Sequence, residues 1–216
     1  DQETGTASSN QLSCGGQALN LMAKAWEAYG LQLWQRRYGV IFPQQSQMVY
    51  VLGSPGPAGD HACLSTPLGT GFVKTTLSAA AASGASTISV TSLSTTGTVG
   101  VAAITMATTW NIGIKLDGGT MQWTTINGAP SGTTVTLTAT LTGAAASGNM
   151  VVAYVTKLTR PLRVLDGFTR QNSSNSDVPH LLISREQYNR FGMKTSSGTT
   201  IQAYYDEQTN AGHYYV

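Results

Sequence analysis

Three histidines, two cysteines and ten acidic residues are the first groups of this chain to weigh for acid–base, nucleophilic or metal chemistry. A hydrolytic nucleophile needs a base beside it. No Gly-x-Ser-x-Gly elbow is present, and nothing in the sequence pairs Cys14 with His61, His180 or His213. A glycosidase needs two carboxylates flanking one cleft, whereas the acids here are scattered one or two at a time. Asp60-His61-Ala62-Cys63 offers metal-ligand types, but no second cluster completes fourfold coordination, and loop residues beside prolines account for it. Asp117-Gly118-Gly119 suggests a calcium turn without the further acids such a loop requires; a tight hairpin turn explains it. The expectation is no catalytic residue, no metal and no cofactor.

The composition agrees with that expectation. Only 10% of residues are charged, against about 25% in an ordinary soluble protein. Thr, Ser, Gly and Ala take their place, without a long apolar run. Such a chain suits strands and turns whose surface is covered by neighbouring subunits. The formal net charge of +2 forces neither a nucleic-acid nor an anionic-membrane partner. No stretch is long and apolar enough for a membrane span, and Asp1-Gln2-Glu3-Thr4-Gly5 does not open a signal peptide. Cys14 and Cys63 read as reduced thiols of a protein assembled in a cytosol.

The elements that must position these residues fall into three stretches. Leu12, Leu19, Met22, Ala23 and Trp26 recur at helical spacings and predict a helix from about Gln11 to Tyr29, capped by Asn10 or Ser13 and stopped by Gly30. Val40 with Phe42, and Met48, Tyr50 and Leu52, alternate as strands, before a turn-rich loop to about Gly71. Between 75 and 156 only Lys115 and Asp117 are charged. Thr134-Val135-Thr136-Leu137-Thr138 puts threonines on one face and aliphatics on the other, the mark of a half-buried antiparallel sheet. Within it, residues 77–84 are echoed by 141–148 without a matching surround, so no true repeat is read. Trp110 and Trp123 read there as packing, with a sugar platform as the alternative. Ordinary composition returns at Thr159, and 158–165 looks strand-like. Ser184 with Gln187 forms a capping box opening a short helix, and strands are expected from Gly198 to Tyr205 and from His213 to Val216.

Three motifs stand in order on the outer stretches. The first is Ala18-Leu19-Asn20 with Trp26, followed by Gly30-Leu31-Gln32-Leu33-Trp34. The second is Met48-Val49-Tyr50-Val51-Leu52-Gly53. The third is Arg160-Pro161-Leu162-Arg163-Val164, then Leu182-Ile183-Ser184-Arg185-Glu186-Gln187-Tyr188, then Lys194, Gly198 and Tyr204-Tyr205-Asp206. The ordered set resembles the head-to-tail adaptor family of short-tailed bacteriophages, and Leu116-Asp117-Gly118-Gly119 through Ile126 looks like a β insertion carried by some members.

The resemblance implies a structural, non-enzymatic subunit of the virion, assembled in the host cytoplasm and placed at the portal vertex. Such subunits form a homo-oligomeric ring of about twelve copies, closed by head-to-tail contacts. The ring sits between the portal protein and a tail or nozzle protein. Genomic DNA passes through its channel without sequence-specific binding, and no membrane partner is implied. Leu19, Met22, Trp26 and Trp34 are the expected ring or portal contacts, with Arg160, Arg163 and Tyr188 as further candidates. Arg160, Arg163, Arg170, Arg185 and Arg190 carry two readings. Some face the portal or the passing DNA, or they lie on a solvated surface paired with Asp166, Asp177 and Glu186. The expected fold class is α+β, with an N-terminal helical part plus a small β-sheet and an inserted antiparallel β domain, sandwich or barrel-like. The expected segments are 1–74 and 159–216 as the two parts of the adaptor core, and 75–158 as the Thr/Gly/Ala-rich insertion. The alternative function is a decoration or tail-associated β module that binds host-surface glycans.

Overall fold

The computed structural model describes residues 8–28, 36–44, 47–53, 62–65, 71–95, 103–171, 176–192, 198–199, 201–208 and 211–216. The chain divides into two units, Asp1–Arg37 and Tyr38–Val216. The first contains helix α1 (Ser9–Ala28). Its start is fixed by Ser8 and Gln11 and not by Asn10 or Ser13. The Gln11 N–H donates to Ser8 Oγ at 3.3 Å, and the Ser8 N–H donates to Gln11 Oε1 at 2.8 Å, a reciprocal capping box. Gly30 and Trp34 lie outside the described residues.

In the second unit the apolar residues alternate, and strands result. β4 (Phe72–Thr76), β6 (Asn111–Lys115), β7 (Met121–Thr125) and β9 (Met150–Tyr154) make an antiparallel sheet in the order β4-β9-β6-β7. β9 reads as an unbroken apolar run because both of its faces are covered. Val151 and Ala153 join Val73, Ile112 and Ile114 in an aliphatic core, while Val152 and Tyr154 turn to the opposite side. β5 (Thr87–Ser89) and β8 (Thr134–Thr136) pair with each other and add Ile88 and Val135 to that aliphatic core. Single bridges, Leu77↔Val90 and Ile126↔Leu137, join this pair to the larger sheet.

The echoed stretches 77–84 and 141–148 are partners. Ala81 and Ala145 exchange hydrogen bonds at 2.8 and 2.9 Å. The Gly84 N–H reaches the Leu141 carbonyl at 2.7 Å, and the Gly148 N–H reaches the Leu77 carbonyl at 2.8 Å. Gly84 (φ 85°) and Gly148 (φ 88°) occupy matching left-handed positions, which glycine adopts without steric cost. The likeness in sequence thus reflects two equivalent turns related by a local approximate twofold.

A second sheet has the order β12-β13-β14-β2, drawn from β2 (Val49–Leu52), β12 (Leu181–Leu182), β13 (Gln202–Glu207) and β14 (Gly212–Tyr215). Its inner face buries Tyr50, Leu52, Ala203 and Tyr214, with Leu182 and Tyr205 partly covered beside them. β1 (Tyr38–Ile41) pairs with β3 (Ala62–Ser65), and β10 (Phe168–Gln171) pairs with β11 (Ser176–Pro179). β3 also runs along 156–158, with the Leu64 N–H on the Thr156 carbonyl and the Leu158 N–H on the Ala62 carbonyl. Phe42, Cys63, Met121, Val152 and Tyr154 pack together at this seam.

The expected α+β class is therefore corrected. The described residues are mostly strands, distributed over several small sheets, and no sheet closes into a barrel. Besides α1 there is only the one-turn α2 (Arg185–Asn189) among the described residues. The physical reason is that helical apolar spacing is confined to one segment. Without a second long amphipathic helix to pack against, no helical layer forms, and period-two segments build the rest. Residues 158–165 form no strand, contrary to their pattern. Pro161 lacks an N–H, and its carbonyl accepts from the Tyr205 hydroxyl at 2.5 Å instead of from a ladder partner.

Candidate functional site

Helix α1 carries the first group of candidate residues. Leu12, Leu19 and Trp26 follow one another at intervals of seven, with Met22 between the last two, so they share one stripe. All four are exposed, Leu19 at 65% and Trp26 at 42%. Gly15 and Gly16 lie mid-helix with open space where a Cβ would be, and each weakens the helix by roughly 1 kcal/mol relative to Ala. A 20-residue helix of that composition is marginal in water by its own propensity, so its stability depends on covering the apolar stripe. Chemically, the stripe can pack against another apolar surface.

The second group sits on the Tyr38–Val216 unit. Ser184 caps α2 as expected, its Oγ accepting from the Gln187 N–H while Gln187 Oε1 accepts from the Ser184 N–H. This cap aims Tyr188 at the outer face of the β12-β13-β14-β2 sheet. There its ring meets Tyr204 at 5.9 Å, Tyr215 at 5.4 Å and Phe191 at 6.1 Å between centroids. Burial pushes the ionisation of Tyr188 and Tyr204 up, so both hydroxyls stay neutral. Arg160 lies against Gly53, where a Cβ would fall 2.1 Å from the Arg160 nitrogen, and its guanidinium donates to the Gln208 carbonyl at 3.2 Å. Arg163 is exposed. Thus the structure brings Tyr188 together with two tyrosines that sequence reasoning had not linked to it. Arg160 is largely engaged in holding the chain, and Arg163 stays on the surface.

The other arginines of residues 160–190 are partly neutralised. Arg170 forms a bidentate pair with Asp177 at 2.7 and 2.8 Å, its guanidinium 5.6 Å from the Phe168 ring centroid. Arg190 pairs with Glu186 one helical turn away. Arg185 is exposed.

The groups first considered for catalysis have structural surroundings. Asp60 and His61 lie outside the described residues. Cys63 is fully buried, and desolvation pushes its thiol up to about 12, so it is not a thiolate at neutral pH. Cys14 and Cys63 are both free. Asp117 sits in the β6–β7 turn and accepts from the Ala146 N–H and the Asn149 amide, each at 2.8 Å, tying that turn to 144–149. Trp123 lies over Gly113 and packs with Phe42 and Tyr154, while Trp110 packs on the aliphatic core. Among the described residues no three His, Cys, Asp or Glu gather as metal ligands, and no helix is long and apolar enough to cross a membrane.

What sequence reasoning missed is His180. One ring nitrogen, Nε2, lies 2.7 Å from Thr169 Oγ1, and the other, Nδ1, lies 2.9 Å from the Tyr214 hydroxyl. The available signal was the alternation of Val178, His180 and Leu182, which assigns the imidazole to the inner face. No family model matches the chain, and neither a curated protein nor a solved structure shows significant similarity to it.

Proposed function

We propose that this chain is a structural subunit of a phage head-to-tail adaptor ring, joining the portal to the tail and extending the DNA channel. The observation that carries the reading is the convergence of the second resemblance motif with the later parts of the third. Met48–Gly53, Leu182–Tyr188 and Tyr204–Asp206 are separated by as much as a hundred residues or more in the chain. They nevertheless supply β2, β12 with α2, and β13, all of one sheet and the helix packed on it. The exposed stripe of Leu12, Leu19, Met22 and Trp26 supports the same reading. An apolar helix surface of that kind gains stability when a neighbouring subunit or the portal covers it.

In this reading the work is mechanical. Copies of the chain pack side by side through largely uncharged surface and close a symmetric ring. Of Arg160, Arg163, Arg170, Arg185 and Arg190, Arg163 and Arg185 are the exposed ones outside the two ion pairs, and they would face the portal or the DNA backbone. The test is co-sedimentation with purified rings of the cognate portal. The native chain is expected to pellet with the rings, and Leu19→Glu with Trp26→Ala is expected to leave it in the supernatant. Retention on host-surface glycans with no portal binding would favour a decoration or tail-associated β module instead.

A further inference from the structure

The β10–β11 hairpin turns Gly167, Thr169, Val178 and His180 to one side, over Tyr214 of β14. The contact is close. The His180 N–H donates to the Gly167 carbonyl at 2.8 Å, and a Cβ on Gly167 would stand 2.9 Å from the Tyr214 hydroxyl. The His180 and Tyr214 rings stack at 24°. The row Tyr214–His180–Thr169 thus spans from the sheet, through the imidazole, to the hairpin. A neutral imidazole has one donor and one acceptor nitrogen, so one hydroxyl donates to it and the other accepts from it, whichever tautomer is present. Protonation makes both nitrogens donors. The hydroxyl that had been donating must then redirect its proton, and a half-buried ring carries a charge.

Among the described residues no carboxylate contacts the ring to relieve that charge. The titratable side chain in contact is Tyr214, which burial keeps neutral up to about 12. Tyr205 of β13 faces the same interior, its hydroxyl committed to the Pro161 carbonyl. Arg170 and Asp177 stand on the opposite side of the hairpin and satisfy each other, Asp166 is exposed, and His213 points to the other side of β14. We propose that His180 is an acid-released latch that clamps the β10–β11 hairpin to the β12-β13-β14-β2 sheet. Burial lowers the pKa of His180 below the ordinary 6.5. A group whose folded pKa is lowered in this way favours its neutral form. The clamp is fully present above 6.5 and is lost as pH falls through the lowered folded value. The device does not depend on whether the chain joins a ring.

The test is hydrogen–deuterium exchange on the full chain, corrected for the intrinsic effect of pH, at about pH 7.5 and about pH 5. Amides of β10 and β11 are expected to lose about five- to tenfold protection at the lower pH relative to β6 and β9, the scale of one lost hydrogen bond. His180→Gln keeps a donor and an acceptor but cannot be protonated, and it is expected to abolish the difference. An equal loss in His180→Gln, or no loss in the native chain, overturns the proposal. Should His180→Gln not fold, a ring titration of the native chain by NMR decides. Hairpin protection must fall in step with the His180 ring, and a ring that titrates while protection holds overturns the latch.

Discussion

The two larger sheets of the Tyr38–Val216 unit are held by different chemistry. The β4-β9-β6-β7 sheet, with β5 and β8, encloses Val73, Leu77, Ile88, Ile112, Leu141 and Val151, a core without an ionisable group. Its polar links include neutral hydroxyl pairs, Thr76 with Thr91 at 3.0 Å and Thr125 with Thr138 at 2.8 Å, beside the Asp117 carboxylate at the β6–β7 turn. The β12-β13-β14-β2 sheet is held by tyrosines and a histidine, with Tyr50, Tyr205 and Tyr214 inside and Tyr188, Tyr204 and Tyr215 outside. Aliphatic burial is indifferent to pH, whereas hydroxyl and imidazole packing holds only while those groups stay neutral. The aliphatic core is thus unconditional, whereas the tyrosine-bearing sheet, like the Cys63 and Tyr154 face on the other side of β9, depends on its surroundings.

The largest expected effect breaks the unconditional side. Leu141→Ala empties part of the aliphatic core and should cost about 2–5 kcal/mol in urea unfolding. Gly113→Ala should cost about 1–3 kcal/mol, because a Cβ there would sit 2.6 Å from the Trp123 ring. Alkaline titration sharpens the contrast. Burial raises Tyr205 and Tyr214 from 10.0 to about 12, so their contribution is complete below 10 and is lost as pH rises through about 12. Amide exchange in β13 and β14 should therefore rise in that window before exchange in β5, β6 and β8 does. A smaller effect has the opposite sign. Thr109 has φ 68°, a left-handed conformation that is strained for a β-branched residue, and Thr109→Gly should raise stability by about 1 kcal/mol in the same unfolding assay. The smallest is Arg170→Ala. Its pair with Asp177 is solvent-exposed, and the melting temperature should not change measurably.

The same contrast decided what could be read in advance. In 75–156 the threonine–aliphatic alternation is strong, so Thr134–Thr136 and Thr87–Ser89 were legible as strands, and Asp117-Gly118-Gly119 as a hairpin turn, the one that joins β6 to β7. The α2 cap was legible because Ser184 and Gln187 meet locally. β3 was not. Ala62–Ser65 looks like part of a loop, and Cys63 becomes core only because Phe42 and Tyr154 arrive from distant segments. β10–β11 offers only Thr169 and Val178 as a clear inner pair, too little for a periodic signal. The α+β expectation failed because one amphipathic helix was read as part of a layer that the rest of the chain does not supply. Among the candidate interface residues, the stripe of Leu19, Met22 and Trp26 was legible from spacing alone. The partners of Tyr188 were not, since Tyr204 and Tyr215 reach it through sheet register.

The most direct test of the adaptor reading is electron microscopy of this protein mixed with its cognate portal ring. Class averages should show a second ring added coaxially to the portal, with about twelvefold symmetry. An unaltered portal, with this chain present as free monomers or trimers, would contradict the account.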